Sequence, residues 1–469
     1  MRRRLLGVSL VVALLLAWPA GRTRGSAPAP PATQAAGGPD RTFTMALTGD
    51  SIITRRLAVH DEPDFRELIE LIRRADAAFT NLEVLFHDYE PYPMHESGGT
   101  YMRADPALAR DLVWAGFDIV SRANNHAGDY GVEGMRLTSK YVREAGLVEA
   151  GVGESLEQAR EARFLDTAKG RLAFVSVAST FPDHSRASSS RGDIPARPGL
   201  NPLRFSTTYV VTPAQLEALR ALARDLRLGG AGQQEGALRL FGQRFVSGPA
   251  PAVRTEPNRE DLEAMAAVVR SASRLADYTM VTIHAHEGIP GDRASPAEFL
   301  VTFARAMIEA GADLFVGHGP HVLRGIEVYK GKPILYSLGD FIFQNETLLR
   351  LPAENYEPYG LGREAQVADF NDRRYDFGRR GFPADREIWE SVVAVPVWRG
   401  RTLVELTLHP ITLGFGRPPS ERGRPMLARG ELARKIIGDV IERSKAFGTT
   451  VVFEDGVGRV RLPAPVSSR

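Results

Sequence analysis

An α/β fold is the architecture this sequence predicts. Short β-rich apolar runs alternate with amphipathic helical stretches from residue 43 onward, and polar, metal-competent residues recur where those runs stop. At 469 residues and 43% hydrophobic composition, the chain can bury a large core between layers.

Strands are expected at 43–47, 77–84, 118–123, 172–178, 278–284 and 314–316, where β-branched and aromatic residues cluster. Helices are expected at 64–74, 106–115 and 132–145, the last stopping at Gly146 as a left-handed C-cap would. Crossovers of this length suit strands packed between helices. Residues 181–258 break the rhythm with Ser, Gly, Pro and Arg, and read as an insertion over the strand ends with a helix at 213–227. Its Arg186, Arg191, Arg197 and Arg204 either meet an anionic substrate or sit solvated, the commoner case. The tripeptide Arg191-Gly192-Asp193 is given no adhesive meaning.

Farther on, two β-rich runs within 322–343 flank the turn Lys330-Gly331-Lys332-Pro333, as in a hairpin. A second pair, 391–398 and 402–408, straddles Gly400 and implies another sheet. The polar, aromatic-rich stretch 345–387 has no assigned conformation. A Pro/Arg/Gly linker at 416–425 precedes a helix at 430–444 and a strand or hairpin at 451–462. The expected organisation is one domain over 41–415 with a C-terminal extension over 426–463.

The formal net charge is only +2, which is not the basic patch that tracks nucleic acid, so nucleic acid is not an expected partner. Arg2, Arg3 and Arg4 followed by an apolar run to Trp18 have the form of a secretory signal, with small residues for processing at Gly25-Ser26-Ala27. Residues 1–27 are read as that signal or as an uncleaved anchor, and 28–40 as a linker; either way the body is expected outside the cytoplasm, secreted, periplasmic or anchored. The chain has no Cys, so any metal must be held by His, Asp, Glu or Asn.

Five segments place polar residues at strand ends, where open α/β sheets bind ligands. Thr48-Gly49-Asp50-Ser51 taken alone is a turn. In Thr80-Asn81-Leu82-Glu83, alternation sets Asn81 and Glu83 on one face, although a lone strand carboxylate is more often solvated or salt-bridged. Asn124-Asn125-His126 offers neutral amide ligands and an adjacent proton donor, or else a helix cap. His284 and His286 are two apart on an extended segment and point to one side, as a metal pair or a structural pair. Gly317-His318-Gly319-Pro320-His321 fixes two imidazoles close together in a tight loop, the most specific of the five signals. His87 has no motif around it and is left out.

The order Gly-Asp, Asn-Leu-Glu, Asn-Asn-His, His-x-His-Glu, Gly-His-x-Pro-His resembles the CapA-like capsule-synthesis (poly-γ-glutamate) family. The resemblance is densest from Gly311-Ala312-Asp313 through Gly325-Ile326-Glu327 to Tyr336-Ser337-Leu338-Gly339, and covers about 43–343. That family is similar in fold to calcineurin-like metallophosphoesterases, which implies an α/β/β/α sandwich with two central β-sheets. Carried over by position, Asp50 stands for the first aspartate and Glu83 for the bridging carboxylate. Asn125 and His126 stand for the Asn-His pair, His284 for the isolated ligand, and His318 and His321 for the final pair. Asn124 and His286 are further candidates.

Ile52 occupies the place of the first motif's His, Glu83 sits in Asn-Leu-Glu, and an extra residue separates His318 from His321; these departures weaken one metal position. The resemblance implies one or two divalent ions, Mn, Zn or Fe before Mg because imidazoles dominate. Asp50 and Glu83 then hold the cation and His126 protonates the leaving group. The implied activity is that of a metal-dependent hydrolase on a γ-glutamyl amide or a phosphoester, and the implied partner is an anionic polymer such as poly-γ-glutamate or its precursor, together with membrane capsule-assembly proteins. A metal-free acid/base enzyme and a non-catalytic assembly subunit are the alternative readings.

Overall fold

The computed structural model describes residues 42–228, 233–234 and 236–463. The signal segment expected at 1–27 and the linker at 28–40 lie outside the described residues. Among those described, no helix is long and apolar enough to cross a membrane.

The chain first lays down parallel strands with helices between them. β1 (Thr42–Ile52), α1 (Pro63–Arg73), β2 (Ala77–Leu82), α2 (Ala109–Ala115), β3 (Ile119–Ser121), α3 (Gly131–Ala145) and β4 (Val148–Ala150) follow in order. Each strand pairs in parallel with the next. Gly146 is the left-handed cap of α3, as expected from its position.

A second sheet starts with β5 (Arg163–Thr167) and β6 (Gly170–Ala178). It continues after the insertion through α4 (Arg259–Ala272), β7 (Tyr278–His284), α5 (Glu298–Glu309) and β8 (Leu314–His318). The hairpin β9 (Ile326–Tyr329) and β10 (Lys332–Leu335) closes it, giving the order β9-β10-β8-β7-β6-β5. Lys330 and Gly331 both have positive φ, the tight hairpin turn their sequence suggests.

The chain then returns to the first sheet. β11 (Asp340–Phe343) pairs in parallel with the end of β1, and β12 (Glu390–Arg399) runs antiparallel to β1 before β13 (Thr402–Thr412). After α6 (Gly430–Ser444), the hairpin β14 (Val451–Glu454) and β15 (Val457–Val460) extends the same sheet. The order is β14-β15-β13-β12-β1-β2-β3-β4, with β11 beside β1 and a short strand, Met426–Leu427, beside β13.

Three hydrophobic layers define the sandwich. Phe43, Met45, Leu47 and Phe79 of the first sheet meet Phe174, Met280 and Val316 of the second, and α6 fills the same layer with Ile436 and Ile437. Phe79 and Phe174 touch edge-on across the sheets at 5.8 Å between centroids. The outer face of the first sheet packs on α1 and α2 through Phe65, Leu68 and Leu112. That of the second packs on α4 and α5 through Met265, Phe299 and Phe303. The architecture is therefore α/β/β/α with two central sheets.

β1 runs past the expected 43–47 to Ile52 because β11 gives its far end a partner. The insertion also differs from a simple cover. Only its first part, to Leu203, borders the strand ends. From Phe205 it forms a five-stranded sheet, with the helix Pro213–Asp225 packed against it under a Thr212/Gln215 capping box. This unit docks on α5, where Phe205 stacks on Phe299 at 4.3 Å and Arg254 pairs with Glu298. Three of its four noted arginines serve local structure: Arg204 binds Asp261 at 2.8 Å, Arg191 pairs with Asp193, and Arg197 bonds the Arg186 carbonyl.

Candidate metal centre

The parallel strands of both sheets end at one edge, and their terminal side chains converge there. β1 supplies Asp50, β2 supplies Asn81 with Glu83 just beyond it, and the chain leaving β3 carries Asn124, Asn125 and His126. From the other sheet, β7 ends at His284 and β8 at His318, which are register partners. Two glycines permit the close approach. A Cβ on Gly49 would lie 1.8 Å from the Gly339 carbonyl oxygen, and Gly319, at φ +115°, turns its N–H onto Asp50 Oδ2 at 2.8 Å. His321 itself holds φ +58°, a left-handed conformation uncommon for its residue type.

Asp50 is the hub. Asn81 Nδ2 donates to Asp50 Oδ1 at 2.7 Å, while His318 Nδ1 and His284 Nδ1 lie 3.2 and 3.6 Å from the same oxygen. His284 Nε2 is 2.9 Å from His286 Nε2 and 3.8 Å from Glu83 Oε1. His321 Nδ1 is 2.8 Å from Asp340 Oδ1, and its Nε2 faces Glu83 at 3.9 Å. His126 Nδ1 lies 2.7 Å from Asp129 Oδ2, leaving Nε2 aimed at Glu83 at 3.8 Å. Asp129 also accepts the Gly98 and Met102 N–H groups, so its position against that imidazole is fixed.

Alternation on β2 places Asn81 and Glu83 together, as the sequence suggested; both are fully buried. Asn124 has its amide committed to the loop: Nδ2 donates to Asn81 Oδ1 and the Leu82 carbonyl, and Oδ1 accepts the His126 N–H. Asn125 donates to the Gly98 carbonyl, and its Oδ1 is buried with no hydrogen-bond partner.

Burial and crowding set the charge states. Burial alone would raise the Asp50 carboxyl, but hydrogen bonds to His284 and His318 outweigh it and hold Asp50 well below the usual range. Glu83 is pushed well up by burial and then by the charges of Asp50 and Asp340. Asp340 rises to about 6 through burial, with His321 opposing the rise. Burial lowers His284 to about 4 against the pull of Asp50, and lowers His286 well below the usual imidazole value. His321 goes the other way, because Asp340 overcomes its burial.

The family model described as bacterial capsule synthesis protein PGA_cap matches residues 44–345, which hold the second sheet and the parallel strands of the first. The chain belongs to the bacterial capsule synthesis protein family. An uncharacterised Sinorhizobium fredii protein, y4sH, is 41% identical over 90% of this chain and 93% of its own length. The capsule biosynthesis protein CapA of Bacillus anthracis is 24% identical over 64% of this chain and 60% of that protein. The PGA biosynthesis protein CapA of Bacillus subtilis is 29% identical over 48% of this chain and 43% of that protein.

The residues of this family member fit a divalent cation. Asp50, His284 and His318 form one group with ligand atoms within 4.8 Å of one another; Glu83, His284 and His286 form a second; Asp50, His321 and Asp340 form a third. The three carboxylates make ion pairs only to imidazoles among the described residues, with no Lys or Arg present as counter-charge. Both Glu83 oxygens and Asp340 Oδ2 are buried without a hydrogen-bond partner. Orphaned carboxylate oxygens facing clustered imidazole nitrogens are what a bound metal would satisfy.

Two participants escaped the sequence reading. Asp340 begins β11 instead of ending a strand, so the rule of polar residues after a β run passed over it; its signal was a second Gly-Asp pair, Gly339-Asp340. Asp129 lies three residues after His126 and received no role. Ile52 packs into the helix-facing core of the first sheet, so its position contributes no ligand. Asp340 places an additional carboxylate next to Asp50 through the parallel pairing of β1 and β11.

Proposed function

We propose that the chain is an exported, metal-dependent hydrolase of capsule synthesis, cleaving the γ-glutamyl amide of an anionic surface polymer of the poly-γ-glutamate type or of its precursor. One observation carries this reading: three buried carboxylates and four imidazoles converge, without Lys or Arg, beside a histidine already oriented by its own carboxylate. The polymer is taken from the printed names of the Bacillus relatives.

Asp50, Glu83, His284 and His318 would hold the ion, with His286, His321, Asp340 and Asn125 completing one or two positions. Mn, Zn or Fe fits this imidazole-rich set better than Mg. Such an ion supplies Lewis acidity and lowers the pKa of water to near neutrality. The protein's own residues do the rest. His284 and His318 keep Asp50 anionic, while the Gly319 N–H and the Asn81 amide hold it in place. Asp129 holds the Nδ1–H of His126, so Nε2 is the atom that would take the proton given up by the attacking water and pass it to the departing amine. The buried walls exclude bulk water from the carboxylates.

The test is elemental analysis of protein purified without chelator, followed by assay on γ-polyglutamate and on a generic phosphodiester. A bound transition metal and chain shortening of γ-polyglutamate that chelation abolishes are expected. Stoichiometric absence of metal after reconstitution overturns the metal mechanism, and turnover of the phosphodiester alone reassigns the bond. Export is checked separately: residues 1–40 fused to a reporter active only outside the cytoplasm should give activity, and an inactive reporter overturns it.

A further inference from the structure

A second set of metal-competent side chains lies outside the centre. His95 and Glu96 sit in the loop between β2 and α2, and His184 in the single 3-10 turn Asp183–Ser185 at the start of the insertion. Their ligand atoms lie within 4.8 Å of one another, and the two imidazoles are 5.4 Å apart between ring centroids. None of the three makes an ion pair among the described residues, although charged neighbours are plentiful elsewhere on the surface. His184 Nε2 is 3.4 Å from the Gly128 carbonyl, while its Nδ1 is buried without a partner. An N–H donated to that carbonyl fixes the tautomer and leaves a lone pair on the unpartnered ring nitrogen. That is the orientation a backbone carbonyl imposes on a metal-ligating histidine.

Two imidazoles and one carboxylate with an open fourth position suit zinc, in preference to magnesium or calcium. We infer that His95, Glu96 and His184 form a peripheral zinc site that clips two loops together over the edge of the metal centre. Both loops lean on the segment that carries His126. From one side, Gly98 donates to Asp129 and accepts from Asn125. From the other, Ser185 packs so closely on Gly128 that a Cβ there would lie 2.1 Å from its Oγ. A zinc ion between the loops therefore ties the start of the insertion to the first sheet and narrows the approach to His126. The fourth position is left for water or a carboxylate of an incoming ligand. This inference does not rest on the hydrolase reading, since the peripheral residues are not shared with the centre.

The test uses full-length protein stripped of metal and dialysed against buffered zinc, with zinc per chain measured for wild type, His95→Ala, His184→Ala and His284→Ala. Loss of a single equivalent is expected in each of the first two variants, with that equivalent kept in His284→Ala. Zinc should also slow proteolytic cutting within residues 88–101 in wild type and not in His95→Ala. His95 is exposed, so its replacement leaves the fold intact even if His184→Ala does not fold. Equal zinc content in wild type and His95→Ala, or protection that persists in that variant, overturns the site. A centre that binds no metal at all would lower the total in every protein and leave the difference between wild type and His95→Ala unchanged.

Discussion

The two sheets bring different chemistry to the shared edge. The first sheet supplies the carboxylates and amides Asp50, Asn81, Glu83, Asn125 and Asp340, together with the His126–Asp129 pair. The second supplies the four imidazoles His284, His286, His318 and His321. Neither half is a good site alone: the buried carboxylates without a counter-charge repel one another, and His284 and His286, stripped of their protons by burial, bring no charge to balance a cation. Only packing Phe79 against Phe174, and their neighbours, sets anions opposite ligand nitrogens. The centre is thus a property of the interface between sheets more than of either motif set.

The strongest way to break this comparison is to remove one ligand from each half. Asp50→Asn and His318→Ala should each remove the metal held at the centre and, with it, hydrolysis, as read by elemental analysis against His95→Ala and by assay on γ-polyglutamate. Metal kept at full stoichiometry in His318→Ala would show that the carboxylate half suffices.

Next in size is His126→Ala, which should lower turnover by roughly 10²–10⁴-fold while leaving metal content intact. Metal loss with the fold preserved would make His126 a ligand and move it across the comparison. Phe174→Ala tests the packing itself. A cost of about 3–5 kcal/mol is expected for an aromatic cut to Ala in a full core, read by denaturant unfolding, with weaker metal binding alongside. Unchanged metal affinity in this variant would separate the site from the inter-sheet contact.

Much of this was legible in the sequence, and the reasons are local. His284 and His286 two apart on a strand, or His318 and His321 fixed by Gly319 and Pro320, announce their shared direction within a few residues. The hairpins about Lys330-Gly331 and Gly400 were legible for the same reason. Asp340 was not, because its value comes from a parallel pairing with β1 that no nearby residue encodes. The insertion's small sheet was also missed, since its strands are short and half-exposed and lack the apolar runs that mark a buried strand. The pair His95 and His184 joins two irregular loops, where side-chain direction follows no period.

The smallest expected effect lies outside the edge. His87 and His409 are lowered to about 4, chiefly by burial. Unfolded, each titrates near 6.5, so between these values the unfolded chain binds a proton that the native state refuses. Their contribution is therefore fully present above pH 6.5 and is lost as pH falls toward 4. Melting temperatures measured from pH 7.5 to 4.5 should fall less steeply for His409→Gln than for wild type, whereas parallel curves would remove His409 from the account.

The pairing of β1 with β11 and β12 also bears on how the molecule is built in time. Asp50 donates its backbone N–H to the Gly339 carbonyl at 3.0 Å, and Thr54 N–H reaches Gln344 Oε1 across 290 residues of sequence. The strand that leaves the ribosome first among the described elements must wait for some of the last before its two sides are covered. Contacts of such long range close slowly, because the loop entropy is spent before the contact forms. Until then β1 is a bare edge, open to pairing with other chains. Without β11, Asp50 and Glu83 stay displayed on an unfinished sheet, so any ion the centre holds would be captured late in folding.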